Sequence, residues 1–237
     1  MLKDIVVKSI YGGAPLPRRM ATCSPDMAIA IAQLEQLIVD RGGSLVLSDL
    51  FRSHDMQLQA RLDYTSGKKK AFSPAPGGSM HEAGRAMDID IAALAPLSLV
   101  DFWELSKPLG FCPIIAKPNP RESECWHFDF RGSFQKIYDY QVKHPTGVTP
   151  YARMASLAIL DQGITVYDLE PKRMEFLIQS ALVRLDEDIW DIDGMIGPEC
   201  MQSLDNLMYK GKNSYMDIFL FLNKILQDKY SSEYCQK

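Results

Sequence analysis

Long apolar runs, clustered positive charge and paired cysteines are all missing from this chain, and each absence excludes a class of protein. No stretch approaches the roughly 20 apolar residues of a membrane-spanning helix, so no membrane span is expected. The net charge is −4 over 237 residues, and nucleic acid is not expected as a partner because phosphates are bound by clustered Lys and Arg. The five cysteines contain no CxxC pair, which argues against a cysteine zinc cage and a full disulfide framework but leaves one disulfide open.

A secretory signal peptide is also not evident at the beginning of the chain. The apolar run in Met-Leu-Lys-Asp-Ile-Val-Val-Lys is short, and the charged residues Asp4 and Lys8 interrupt it. The expectation is that a signal segment has been removed or that the protein leaves its cell by another route.

Hydrophobic periodicity predicts strands and helices in the first part of the chain and mainly helices in the second. Ser24 and Pro25 have the residue types that begin a helix, which should run to about Val39. The Gly- and Pro-containing stretch at 144–150 is the predicted linker, dividing residues 1–145 from residues 151–237. Helices are further predicted at 54–63 and 97–108, strands at 44–48, 86–91, 112–115 and 126–130, and a functional loop at 66–79.

Two short segments carry the side chains that could perform chemistry. A catalytic zinc ion takes three protein ligands of nitrogen or oxygen type and keeps one position open for water. His81, Asp88 and His127 can supply those three ligands, and Glu124 precedes His127 closely enough to exchange protons with water and with a leaving amine. The two patterns are Ser-x-His-x-x-Gly-x-Ala-x-Asp at 79–88 and Glu-x-Trp-His at 124–127.

Taken singly, each of these residues has an ordinary structural interpretation as a hydrogen-bonding or solvent-facing group. Asp90 is a rival to Asp88 because it lies two residues further along the same predicted strand. Asp129 could orient a histidine from behind. His54 and His144 lie outside the pattern and are expected to be structural or exposed.

The two segments together resemble the signature of the D-alanyl-D-alanine carboxypeptidase (VanY-like) zinc peptidases. That family belongs to a wider group with the VanX dipeptidases, the lysostaphin-type enzymes and the hedgehog fold. The resemblance covers about residues 25–140. It implies an α+β fold in which a small antiparallel sheet with flanking helices carries a zinc site, followed here by a small all-α domain.

An upstream segment extends this resemblance and implies roles for further residues. Phe51-Arg52-Ser53 followed by Gln57 is similar to the family's Tyr-Arg-Ser-x-x-x-Gln segment, whose arginine points into the site. Arg52 would then bind a substrate carboxylate or stabilise the oxyanion of the tetrahedral intermediate. Ser79 and Gln57 become candidate substrate contacts or supports of the ligands, and Trp126 is either core packing or a wall of the cleft.

A second resemblance lies in the C-terminal part of the chain. Gln179 on a predicted helix and the turn Asp193-Gly194-x-x-Gly-Pro are similar to the small helical peptidoglycan-binding domain. The threonine that usually follows the Gly-Pro pair is replaced by Glu199, which leaves open whether the region binds glycan. The alternative is a helical appendage that packs on the catalytic domain.

These observations predict a zinc-dependent peptidase that hydrolyses an amide bond of peptidoglycan stem peptides, as a D-Ala-D-Ala carboxypeptidase or an endopeptidase. The alternatives are an L-Ala-D-Glu endopeptidase of the phage-lysin (endolysin) type, a non-catalytic zinc-containing cell-wall-binding module, and a zinc amidohydrolase acting elsewhere. The expected partners are stem peptides and glycan, the expected place of action is the cell wall in the periplasm or outside the cell, and the expected state is a monomer.

Overall fold

The computed structural model describes residues 1–212 and 214–234, which form two compact units, Met1–Gly132 and Ser133–Lys237. The division comes earlier than the linker expected at 144–150. Helix α4 (Gln135–Lys143) therefore lies in the second unit, because it packs against the helices that follow it.

The first unit is an α+β structure with small antiparallel sheets, in agreement with the predicted class. Strand β1 pairs with β2, and a four-stranded antiparallel sheet has the order β3-β4-β6-β5. All four residues of β4 and of β6 are buried, as expected for the central strands of a covered sheet. The elements are β1 (Lys3–Asp4), β2 (Thr22–Cys23), α1 (Pro25–Val39), β3 (Leu47–Asp49), α2 (His54–Thr65), β4 (Ala86–Ile89), α3 (Leu99–Ser106), β5 (Phe111–Pro113) and β6 (His127–Phe130).

Helix α1 has the predicted limits and covers part of the sheet. Ser24 has the extended backbone of an N-cap residue, although its hydroxyl makes no capping hydrogen bond, and Pro25 occupies the first helical position. Apolar side chains at spacings of three and four residues, including Leu34 and Ile38, are buried in the core. On the sheet, Phe128 contacts Phe102 of α3 with ring centroids 4.8 Å apart.

The strands are shorter than the sequence predicted, since turns occupy their ends. The strand expected at 44–48 pairs only from Leu47 onward. The strand expected at 86–91 ends at Ile89, because the carboxylate of Asp90 accepts a hydrogen bond from the amide of Ala92 and begins a 3-10 helix. The two central strands, β4 and β6, lie within the strands predicted at 86–91 and 126–130.

The described part of the second unit is helical, with α6 contacting each of the other four α-helices. Within residues 1–212 and 214–234, no helix combines the length and apolar composition needed to cross a bilayer. Cys23, Cys112, Cys125 and Cys200 are free thiols, and Cys235 lies outside the described residues. The helices are α4, α5 (Pro150–Asp161), α6 (Arg173–Arg184), α7 (Pro198–Asn206) and α8 (Tyr215–Lys229).

Candidate metal centre

Three residues from different parts of the first unit converge on one buried point. Asp88 on β4 and His127 on β6 are directly paired in the antiparallel register, so the sheet itself places them side by side. His81 lies in the turn before β4, and its backbone carbonyl accepts a hydrogen bond from the amide of Arg52. One ligand atom from each of the three residues lies within 4.8 Å of the other two, and the group can hold a metal ion.

The ligand atoms are close together and almost inaccessible to solvent. The Nε2 atom of His81 is 3.2 Å from Nδ1 of His127 and 3.3 Å from Oδ1 of Asp88. The distance between Nδ1 of His127 and Oδ1 of Asp88 is 2.9 Å. All three residues are buried, with exposed fractions of 1% for His81, 6% for His127 and 7% for Asp88.

Hydrogen bonds on the outer side of each imidazole determine which nitrogen faces the centre. Nδ1 of His81 donates to the backbone oxygen of Leu50 at 2.7 Å, because a carbonyl can only accept. Nε2 of His127 donates to Oδ1 of Asp129 at 2.9 Å. The inner nitrogens of the neutral imidazoles therefore carry lone pairs, and with Asp88 they form a group of three acceptors. Such a group needs a positive charge at its centre.

In the metal-free protein a proton on His127 meets this need. Burial opposes the charge, but hydrogen bonds to Asp129 and Asp88 raise the pKa of His127 to about 10. Burial likewise disfavours the charged form of Asp88, but His81 and His127 hold the pKa of that carboxyl well below its usual range. The same acceptors can hold a divalent cation once the proton leaves.

The donor set fits a metal ion with nitrogen and oxygen ligands. Ligands about 2.0–2.1 Å from a tetrahedral zinc ion lie about 3.3 Å from one another, close to the separations between these three atoms. The second oxygen of Asp88 is bonded to Arg52 instead, which leaves Oδ1 as the inward ligand atom. No fourth His, Cys, Asp or Glu joins the group among the described residues.

Glu124 lies beside the group without belonging to it. Its Oε1 atom is buried and makes no hydrogen bond to any described residue. Burial raises the pKa of its carboxyl, and the charge of Asp88 adds to this, whereas His127 acts in the opposite direction. Glu124 also has a φ of 69°, a left-handed conformation that is uncommon for residues with a side chain and is frequent at functional sites.

Arg52 reaches the site, and each nitrogen of its guanidinium donates a hydrogen bond to another side chain. Its Nε donates to Asp49 at 2.6 Å, Nη1 to Gln57 at 3.3 Å and Nη2 to Asp88 at 3.2 Å. The residue therefore orients the carboxylate of Asp88 in this structure. These bonds use one N–H of each nitrogen, and the expected contact of Arg52 with a substrate carboxylate or an oxyanion stays a prediction.

The three expected substrate contacts have different surroundings. Gln57 is fully buried and donates to Ser73 and to the backbone of Pro74, so it fixes the 66–79 loop and does not face a cleft. Ser79 is also buried and accepts a hydrogen bond from the amide of His81 at 3.4 Å. Trp126 is partly buried against the core and lines a separate, mostly apolar cleft of about 390 Å³.

Several supporting residues could not be identified from the motif. The carbonyl of Leu50 accepts a hydrogen bond from His81, and the carboxylate of Asp49 accepts one from Arg52. Glu82, within the motif, accepts three hydrogen bonds from the amides of Gly77 and Ser79, and burial raises its pKa to about 7.

The remaining candidates lie away from the centre. Asp90 caps a 3-10 helix and is not in the metal-binding group. His54 is beside Asp55 near the surface, and His144 stacks on Tyr140.

In the second unit, Gln179 organises the turn whose sequence resembles a glycan-binding domain. Its side-chain amide donates to Asp193 and to the carbonyls of Asp191 and Met195, and its carbonyl accepts from the amide of Gly194 at 2.7 Å. This network explains why a glutamine and an Asp-Gly turn occur together. It accounts for local structure and leaves glycan binding a prediction.

Comparison with known proteins assigns no family to this chain. No protein-family model matches it, and no curated protein matches it.

Proposed function

We propose that this chain is a zinc-dependent peptidase that hydrolyses an amide bond in peptidoglycan stem peptides. The observation that carries the proposal is the convergence of three buried acceptors, together with the half-buried Glu124, whose Oε1 is buried without a hydrogen-bond partner among the described residues and whose carboxyl interacts electrostatically with His127 and Asp88. The three acceptors suit a metal ion, and the carboxylate of Glu124 can act as a proton acceptor.

Zinc is the proposed metal because two imidazoles, one carboxylate and an open position are a common ligand set of catalytic zinc sites. When bound, zinc lowers the pKa of a coordinated water and polarises the carbonyl of the scissile amide. His81, Asp88 and His127 hold the ion, while Leu50 and Asp129 keep the imidazoles in the required tautomers.

Glu124 supplies the proton transfers in this proposal. Its unpartnered oxygen accepts a proton from the attacking water, and the resulting carboxyl donates that proton to the nitrogen of the leaving amine. The raised pKa of this half-buried carboxyl favours both halves of this cycle, because it brings the proton affinity closer to neutral pH. Arg52 holds Asp88 through its second oxygen and is a positioning residue.

The substrate class rests on the resemblance of the two motifs to the VanY-like peptidases. Cleavage of terminal D-Ala-D-Ala, of a crosslink, or of L-Ala-D-Glu as in phage lysins are the three versions of this activity. A non-catalytic zinc module for wall binding is the second candidate function. The buried, unpartnered oxygen of Glu124 supports the enzyme, because a structural metal site gains nothing from an unsatisfied carboxylate.

A Glu124→Gln substitution tests the proposal. The variant keeps the shape of the side chain but loses the base, so we expect unchanged zinc content and a loss of peptidoglycan hydrolysis of about 10²- to 10⁴-fold. Mass spectrometry of the released muropeptides measures the cleavage and identifies the bond. Glu122→Gln is the matched control because Glu122 is an exposed carboxylate two residues away.

The His81→Ala variant supplies the metal-free reference, since it removes one of the three ligands. Wild-type protein loaded with zinc that releases no fragment from peptidoglycan or from stem peptides would contradict the proposed activity. A Glu124→Gln variant that retains full hydrolysis would remove Glu124 from its role.

A further inference from the structure

A cleft of about 640 Å³ with both charged and apolar lining residues opens beside Arg52, which is hydrogen-bonded to Asp88 of the candidate metal centre. One wall consists of helix α2, and the opposite wall comes from the N-terminal segment through Tyr11, Arg19 and Met20. Arg52 and Asp49 form part of the lining, so the cleft borders the residues that hold Asp88. Lys69, from the 66–79 loop, completes the lining.

The acidic side chains of this cleft are mostly neutralised by neighbours. Asp49 accepts from Arg52 at 2.6 Å. Asp63 accepts from Lys68 at 3.1 Å and from Gln59 at 3.0 Å. The carboxylate of Asp55 is 97% exposed, so water screens most of its field.

Two cations of the same cleft have no such partner. Neither Arg19 nor the side chain of Lys69 forms an ion pair or hydrogen bond with any residue in 1–212 or 214–234, although the charge of Lys69 contributes, after the hydrogen bonds from Lys68 and Gln59, to the lowered pKa of Asp63. Lys69 is also the half-buried member of three consecutive lysines, because its backbone amide is fixed to the carbonyl of Asp63 at 2.8 Å. Burial raises the pKa of Glu124, and the charge of Lys69 acts in the opposite direction, so this cation lies within electrostatic range of the proposed base.

We propose that Lys69 and Arg19 form a subsite that binds a carboxylate of the peptide substrate close to the scissile amide. The inference rests on the proposed function and adds the group that selects the substrate. Arg52 is already committed to the fold, since each of its three nitrogens donates a hydrogen bond to a neighbouring side chain and the side chain is only 10% exposed. The carboxylate is either the C-terminus of the peptide or an internal one, such as that of a D-glutamyl residue.

Direct binding of four synthetic peptides to the zinc-loaded Glu124→Gln protein tests this subsite without requiring turnover. The parent peptide is acetyl-L-Ala-D-Glu-L-Lys-D-Ala-D-Ala, and the others carry an amide at the C-terminus, at the glutamyl carboxyl, or at both. Each exposed ion pair contributes about a threefold change in Kd, so the parent should bind about tenfold more tightly than the doubly amidated peptide. The singly amidated peptide that loses this advantage identifies the carboxylate that is bound.

Substitution of the two cations should remove the same advantage. Lys69→Ala and Arg19→Ala, each added to Glu124→Gln, should weaken binding of the parent peptide about threefold each and leave the doubly amidated peptide unaffected. Lys70→Ala is the matched control, because Lys70 is an exposed neighbour outside the cleft. Equal Kd values for all four peptides, absence of binding, or an equal effect of Lys70→Ala would overturn the subsite.

The outcomes for the subsite and for the catalytic function are separate. Carboxylate-dependent binding that requires Lys69 supports the subsite even where wild-type protein cleaves none of the peptides, and in that case the proposed peptidase activity fails alone. Hydrolysis of all four peptides with the same kcat/KM by wild-type protein overturns the subsite and supports the activity.

Discussion

Zinc and a proton compete for the same position between His127 and Asp88, so zinc affinity should depend steeply on pH. In the metal-free protein, hydrogen bonds to Asp129 and Asp88 raise the pKa of His127 to about 10, although burial opposes the charge. Zinc requires the neutral imidazole, and each binding event near neutral pH must therefore release the proton.

The size of the effect follows from the distance between that pKa and the working pH. Near pH 7 the proton is bound about three units below its pKa, which costs zinc binding about 4 kcal/mol. The metal-free state takes up the proton and the loaded state does not, so affinity falls as the pH falls. Between roughly pH 7 and pH 6 we expect the apparent Kd for zinc to rise about tenfold.

Competition with a chromophoric chelator, corrected for the chelator's own protonation, measures that change. Calorimetry in buffers with different ionisation enthalpies counts the released protons and should give about one per zinc ion. The His81→Ala variant provides the baseline for zinc bound elsewhere on the surface. A Kd that stays constant over this range, or binding without proton release, would refute the assignment of the inner nitrogen of His127 as a ligand.

Two further substitutions test the surroundings of the centre. Asp129→Asn removes the charged acceptor behind His127 and should weaken zinc binding about 10- to 100-fold by the same chelator assay, whereas unchanged affinity would show that this contact is incidental. Gly84→Ala should destabilise the fold by about 1–3 kcal/mol in thermal denaturation, because Gly84 has a φ of 62° and an added Cβ would lie 3.1 Å from the Cα of Cys23. Gly147→Ala is its control, since its Cβ would meet nothing within 4 Å, and equal losses from both would contradict the reasoning.

The sequence predicted the group of residues that could hold a metal ion, because their spacing is local and their residue types are specific. His81 and Asp88 lie in one ten-residue pattern, and His127 follows an acidic residue at a fixed distance. Helix α1 was predicted for similar reasons, from an N-terminal proline and regular apolar spacing.

The hydrogen-bond partners of Arg52 could not be predicted from the same motif. Its three bonds go to residues in β3, α2 and β4, and only the folded chain shows that they are formed together. Similarly, Lys68 makes the direct ion pair with Asp63, and Lys69 acts on that carboxylate without a hydrogen bond. Contacts between distant segments, rather than residue types, decide which charged groups are available to a ligand.

The division between the two units also depended on packing that the sequence does not express. The Gly- and Pro-containing stretch at 144–150 has the composition of a linker, but α4 before it packs against α5 and α6. Composition therefore indicated a linker at a place where the chain turns between two packed helices.

Strand register determines the geometry of the candidate metal centre. It explains how Asp88 and His127, which are far apart in sequence, lie next to each other. Asp88 and His127 are opposite one another on the two central strands, and Ala86 is opposite Asp129. A slip of one residue in either strand would turn its side chains to the other face of the sheet and separate the two ligands. The buried apolar residues that alternate with them, such as Met87 and Phe128, prevent that slip because they would lose their places in the core. The same packing that stabilises the sheet therefore holds the candidate metal ligands in position.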